Sequence, residues 1–350
     1  MSAEPIAIYT GSIAIYWSGL VICLGIAAGF FLSLGIYMAS NRESADLWVF
    51  FPFALVFSVV LCRLLHWYCH EEQYVSWVAA LTDYSTGSYC LQGALLGVYL
   101  GALCSHVLGF AKSTGKLLDA IAPGFALSLA FIRLSSLFNS SCHSKYTVEI
   151  KTLQRLPVAI LTEDTVGNQS YRFATFFVEF VLLIIITLVL IGLYYKLHNS
   201  KMKAPCKRDG HIFRLFLILF CTIELVLDST RNDSSFLHFP GQLKVINKFF
   251  GFVSVGQLCA AIILLCILIY YTRMSVKANG RKWYHIVLWI AYGISLATVG
   301  GLEYCVQRWS NYFRTIYIGM SVGALLMGAV AILMYRSCIE KNFSFEDEYK

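Results

Sequence analysis

The chain is a succession of apolar runs, each near the ~20 residues that a helix needs to cross a bilayer. Nine are read, at about residues 13–39, 47–69, 89–110, 118–138, 173–197, 212–229, 249–271, 284–305 and 314–336. In hydrocarbon every backbone polar group must find its partner inside the protein, which leaves the helix as the viable form for runs of this length and composition. With 58% of residues hydrophobic and 13% charged, against roughly 45–50% and 25% in soluble domains, little chain remains for a soluble domain. The expected fold class is an all-α integral membrane protein, a polytopic helical bundle.

The formal charge of +7 does not point to nucleic acid, because the cations lie in short loops, where they set topology. One set of alternating loops holds Arg42, then Lys112 and Lys116, then Lys201, Lys203, Lys207 and Arg208, then Arg273, Lys277, Arg281 and Lys282, with Arg336 and Lys341 in the tail. This set is expected in the cytoplasm, with the N-terminus outside and the C-terminus inside. Loop 70–88, on the other side, has no lysine or arginine. The 12 cysteines form no CxxC pair. Most lie in apolar runs (Cys23, Cys62, Cys104, Cys221, Cys259, Cys266) and read as small buried hydrophobes rather than a disulfide framework. No cleavable signal peptide is expected, since a basic n-region is lacking and the first apolar run is too long. No metal or other cofactor is expected. His66 and His70 lie four apart with no third ligand at helical spacing, and there is no glycine-rich phosphate loop.

Inside this apolar frame stand Arg63, in the run Ala54–Tyr68, and Arg133, in the run Ile121–Phe138. An arginine at membrane depth costs a few kcal/mol or more and usually faces a polar cavity. In the nine-span topology Arg63, Arg133 and Arg231 all fall near the outer ends of their spans. Three cations then converge on one depth, near the outer headgroups; the alternative is separate snorkelling to the interface. Gly93, Gly97 and Gly101, and the pairs Gly25–Gly29 and Gly319–Gly323, place smooth stripes where another helix can approach closely.

The order of motifs along the chain is recognisable. The first span carries Tyr16-Trp-Ser-Gly19 and Gly25–Gly29. The second ends Cys62-Arg-Leu-Leu-His-Trp-Tyr68, and the third opens Leu91-Gln-Gly93. The fourth runs Asp119-Ala-Ile-Ala-Pro123 and then Arg133-Leu-Ser-Ser-Leu-Phe-Asn139. The sixth holds Glu224 to Arg231, and the seventh Val253-Ser-Val-Gly-Gln257. Over about residues 10–272 this series resembles the bacterial prolipoprotein diacylglyceryl transferase family, most strongly in 118–139.

The resemblance implies a seven-helix transferase-like core, residues 1–272, followed by a two-helix extension and cytoplasmic tail, 273–350. It also implies transfer of the diacylglyceryl group from phosphatidylglycerol to the lipobox cysteine of a prolipoprotein, at the outer face of the bacterial plasma membrane. Arg133 matches the signature arginine and is expected to hold the donor phosphate, as a guanidinium fork suits phosphate oxygens; the alternative is a structural pairing with carbonyls, Glu179 or Glu224. Asn139 matches the signature's second asparagine, with a helix-end cap as the alternative. Arg231 is the candidate for a second phosphate contact. It stands one turn beyond the family's spacing from Glu224, on what is expected to be the same helix face. Arg63, Gln92, Gly93, Ser136 and Glu224 are expected to contact substrate, and His66 lies one turn from Arg63.

Some positions depart from the family pattern. Gln92 stands where many members have tyrosine or histidine, Ser18 replaces a tyrosine, and Ile132 and Ser135-Ser136 replace Gly and Gly-Asn. Ser141 falls near a usual glutamate. His143 could supply a base in the outer loop. These departures suit a second reading, a catalytically impaired paralogue that binds phospholipid or lipoprotein precursor. A third, a small transporter, draws on glycine-rich helices and intramembrane arginines, against the absence of any internal repeat.

Overall fold

A computed structural model describes residues 6–10, 13–40, 45–70, 73–82, 89–139, 143–163, 168–199, 209–232, 251–309 and 312–339. Arg42, Ser141, Lys201, Lys203, Lys207, Arg208 and Lys341 lie outside the described residues. In chain order the elements are β1 (Ile6–Thr10), β2 (Ile13–Tyr16), α1 (Trp17–Ala39), α2 (Ala45–Cys69), α3 (Trp77–Thr82), α4 (Gln92–Val107) and α5 (Thr114–Ser135). There follow α6 (Lys151–Gln154), β3 (Ala159–Glu163), β4 (Gln169–Phe173), α7 (Thr175–Asn199), α8 (His211–Thr230), α9 (Val255–Asn279), α10 (Trp283–Arg308) and α11 (Phe313–Ile339).

Each of the nine expected spans coincides with a helix, so the protein is a polytopic all-α membrane protein. Among the described residues, seven helices are long and apolar enough to cross a membrane unaided. The other two are α4, which has only 16 residues, and α8, which carries Arg214, Glu224 and Asp228. For α8 the reason is chemical: its polar groups are the ones that serve the interior, and the helix is buried along most of its length.

The chain divides into two compact units. The first comprises residues 1–44, 119–198 and 230–233. Here α1 meets α5 across two glycines: a Cβ on Gly29 would collide with the carbonyl of Gly124, so the backbones touch. Ser128 Oγ donates to the Gly25 carbonyl at 3.1 Å, and Ser40 Oγ bonds the Tyr194 hydroxyl of α7 at 2.6 Å. Two antiparallel hairpins, β1–β2 and β3–β4, complete this unit. The segment 146–148 joins the second hairpin through Val148 N–H to the Tyr171 carbonyl, 2.7 Å, and Phe173 N–H to the Tyr146 carbonyl, 3.0 Å.

The second unit comprises residues 45–118, 199–229 and 234–350. Its α2 and α4 pack antiparallel along the expected glycine stripe, Gly93 against Cys62, Gly97 against Ser58 and Gly101 against Ala54, each on backbone atoms. Helices α9, α10 and α11 pack together. A hydroxyl and imidazole cluster ties their ends: Ser275 Oγ lies 2.9 Å from His285 Nε2 and 2.8 Å from Ser337 Oγ.

A side chain at Gly97 would collide with both the backbone and the hydroxyl of Ser58, and overpacking of this kind costs about 1–3 kcal/mol or more. Gly97→Leu is expected to cut the yield of monodisperse protein about tenfold. Gly192→Leu, where a Cβ meets nothing within 4 Å, should leave it unchanged. Fluorescence-detected size exclusion of tagged variants reads both.

Candidate functional site

In the first unit the signature arginine comes from the last turn of α5. The helix then tightens into a 3-10 turn, Ser136–Phe138, and Asn139 follows in extended conformation, exposed, its N–H on the Ser136 carbonyl at 3.2 Å. Arg133 is 5% exposed and turns inward to Glu179 of α7, itself 2% exposed. Arg133 Nε lies 3.0 Å from Glu179 Oε2, and Arg231 Nη1 lies 3.9 Å from the same oxygen. Two guanidinium groups thus flank one carboxylate, and the triad carries a net charge of +1. A buried cationic group of this kind suits an anion such as a phosphate.

Arg231 does not continue the face of α8. The helix ends at Thr230 because the Thr230 carbonyl accepts from Ser144 Oγ, 2.7 Å, and from Lys145 N–H, 3.3 Å. Arg231 then pairs in an isolated antiparallel bridge with Ser144, and Asn232 N–H reaches the His143 carbonyl at 3.3 Å. Thr230 Oγ1 also bonds Thr175 Oγ1, 2.7 Å, one turn before Glu179 on α7. Bridge geometry, rather than the helical spacing expected from sequence, sets the place of this arginine.

His143 is buried beside this bridge, its ring 5.7 Å from that of Phe176. Burial holds the imidazole below its ordinary pKa; backbone groups of Leu137 and Ser136 act against that, and Arg172 adds to it. The ring is therefore neutral near pH 7, the form a general base needs.

In the second unit Arg63 is 2% exposed, with its guanidinium carbon 4.8 Å from the centre of the Tyr89 ring. His66 stacks on His70 at 4.3 Å and meets the Tyr74 hydroxyl at 3.2 Å. Gln92 opens α4 between two partners. Its amide nitrogen donates to Glu224 Oε1 at 3.4 Å, and its amide oxygen accepts from the Cys90 thiol at 2.8 Å. Gly93 lies against the Cys62 backbone, and a Cβ on Gly256 would fall 2.7 Å from both Gln92 Nε2 and Asp228 Oδ2. Ser254 Oγ donates to that Asp228 oxygen.

The structure thus brings Arg133 and Arg231 to one carboxylate and brings Gln92 to Glu224. Glu224, expected to contact substrate, accepts from Gln92. Arg63 belongs to the second unit. Glu179, named from sequence only as an alternative partner, proves to be the hub of the arginine pair; its signal was being the lone acid in the apolar run of α7.

Breaking a buried pair leaves an uncompensated charge and costs about 3–5 kcal/mol. Glu179→Gln is expected to lower the melting temperature in detergent sharply, and adding Arg133→Gln should recover part of the loss. A second expectation concerns pH. Because the folded state disfavours protonated His143, its stabilising contribution is complete above about pH 6.5 and is lost as pH falls through the lowered folded value. Thermal unfolding at stepped pH should show this acid-side loss in the wild type and less of it in His143→Gln.

Residues 5–273 match the prolipoprotein diacylglyceryl transferase family. The match ends where α9 does within six residues and leaves α10 and α11 beyond it. Among similar curated proteins is the phosphatidylglycerol–prolipoprotein diacylglyceryl transferase of Lactobacillus delbrueckii subsp. bulgaricus, 23% identical over 292 residues, 81% of this chain and 95% of the relative. Proteins of the same name from Clostridium novyi and Tolumonas auensis are 26% and 27% identical. These alignments cover 71% and 65% of this chain and 91% and 82% of the relatives.

Proposed function

Because the chain belongs to the prolipoprotein diacylglyceryl transferase family, we propose that it transfers the diacylglyceryl group of phosphatidylglycerol to the lipobox cysteine of prolipoproteins. Its place is the bacterial plasma membrane, with the site facing outward, as the loop charges suggest. In this reaction the cysteine sulfur attacks the glyceryl carbon that bears the phosphate. The carbon–oxygen bond breaks, glycerol phosphate leaves with the bonding electrons, and the thiol proton passes to a base or to water.

The observation that carries this reading is the net-positive triad of Arg133, Glu179 and Arg231. The two arginines hold the donor phosphate and stabilise charge growing on the leaving group. Glu179 keeps them at one point despite their mutual repulsion. Asn139 and Ser136 contact the headgroup, and Arg63, Gln92, Gly93 and Glu224 contact substrate. Neutral His143 takes the thiol proton. No cofactor is required; the partners are the lipid, the prolipoprotein and the surrounding membrane.

Gln92 favours the second reading, binding without transfer. An amide accepts hydrogen bonds, as from Cys90, but takes no proton near neutral pH. Complementation separates the two. In a strain depleted of its own enzyme, the wild-type chain is expected to restore palmitate labelling of a reporter lipoprotein. Arg133→Ala should lower labelling at least a hundredfold while the protein still accumulates, with Arg133→Lys between them because it keeps the charge and loses the fork. Accumulated wild-type protein with no labelling would establish the binding reading.

A further inference from the structure

Helices α10 and α11 lie beyond the family match, yet they are bound to the polar interior of the second unit. Helix α11 runs antiparallel along α8 and touches it at three heights. Near one end the Tyr317 hydroxyl lies 2.9 Å from Ser229 Oγ and donates to the Ser229 carbonyl at 3.2 Å. In the middle, a Cβ on Gly328 would fall 2.6 Å from Thr222 Oγ1. At the other end the rings of His211 and Tyr335 stack at 4.1 Å.

Helix α10 contributes Glu303, a carboxylate 2% exposed in an otherwise apolar span. Its Oε2 accepts from Gln257 Nε2 at 3.0 Å, and its Oε1 accepts from Gln307 at 3.0 Å. The same Gln257 nitrogen donates to the Leu225 carbonyl at 3.1 Å, the residue next to Glu224. Gln257 also closes the capping box that seats Ser254 at the start of α9, and Ser254 holds Asp228. Bonded contacts thus lead from Glu303 to the turn of α8 that presents Glu224 to Gln92. An ionisable group inside a spanning helix is costly and is retained where it serves function. Apolar packing would bind α10 to its neighbours without it.

We propose that the two-helix extension is a working part of the transferase site, with Glu303 and Tyr317 as positioning residues. Glu303 fixes the Gln257 amide, and Tyr317 fixes the end of α8. Together they hold Glu224 and Asp228 in the orientation at which Glu224 accepts from Gln92. The inference rests on the transferase reading above.

The test uses the full chain in nanodiscs containing phosphatidylglycerol, with a lipobox peptide as acceptor. Wild type, Glu303→Ala, Glu303→Gln and Tyr317→Phe are compared for kcat, KM for each substrate and melting temperature. A hydrogen bond to a charged group is commonly worth a tenfold effect or more. Glu303→Ala is expected to lower kcat about tenfold with KM for phosphatidylglycerol within about twofold of wild type. Glu303→Gln should recover most of kcat, because its amide oxygen still accepts from Gln257. Tyr317→Phe should lose about threefold. Wild-type kcat in monodisperse Glu303→Ala, whatever its melting temperature, would overturn the positioning role and leave the transferase reading standing. Should Glu303→Ala not fold, wild-type kcat in Tyr317→Phe overturns the proposal instead. A wild-type chain that transfers nothing overturns the transferase reading and this proposal with it.

Discussion

One carboxylate in a place that water does not reach holds the first unit's chemistry together. Two arginines at the end of separate segments repel each other, and neither would stay buried alone. Glu179 cancels one of the two charges and gives both a common point of attachment. What remains within the triad is a single positive charge with a fixed location. The surrounding hydrogen bonds, from Ser144 and Thr175 to Thr230, hold the backbone on which the second arginine rides. A catalytic electrostatic environment needs this kind of prior arrangement, because dipoles and charges already in position need not reorganise as charge develops.

The second unit solves a different problem. Helix α8 carries too many polar groups to face lipid, and its neighbours cover it. Ser254 and Gln257 at the start of α9, Gln92 at the start of α4, and Tyr317 and Gly328 of α11 meet it at successive turns. Amides, hydroxyls and carboxylates alternate there, and oxygens of Glu224, Leu225 and Asp228 each accept from one of these neighbours. This is the condition under which a polar network rigidifies a core rather than weakening it.

Much of the architecture was legible because hydrocarbon leaves few options. Runs of about 20 apolar residues became helices, and the glycine stripes at Gly25–Gly29 and Gly93–Gly101 became the close contacts they suggested. The arginine at 133 was legible because charge in such a run is costly, and the motif order from Trp17 to Gln257 led to the right family. Other features depended on tertiary geometry. The end of α8 at Thr230 is set by a strand-like bridge to Ser144, a residue far away in sequence. No helical periodicity could have announced it. Glu179 was visible as a lone acid, but that it would receive two arginines depended on where α5, α7 and the residues after α8 meet. Glu303 gave no signal that tied it to Gln257, because the tie is a through-space hydrogen bond between two spans.

The sharing of Glu179 also bears on how the protein is made. Chains enter the membrane from the N-terminal end as they are synthesised. Arg133 and Glu179 therefore both emerge before Arg231, and the first pair they can form is neutral overall. A neutral pair enters hydrocarbon at lower cost than a lone guanidinium. Only when the segment after α8 arrives and bonds to residues 143–145 does the site gain its surplus positive charge. Biogenesis thus separates the burial of the charges from the creation of a net-positive group. On the proposed function, the nascent bundle meets the lipid phosphates around it before it has the means to bind them.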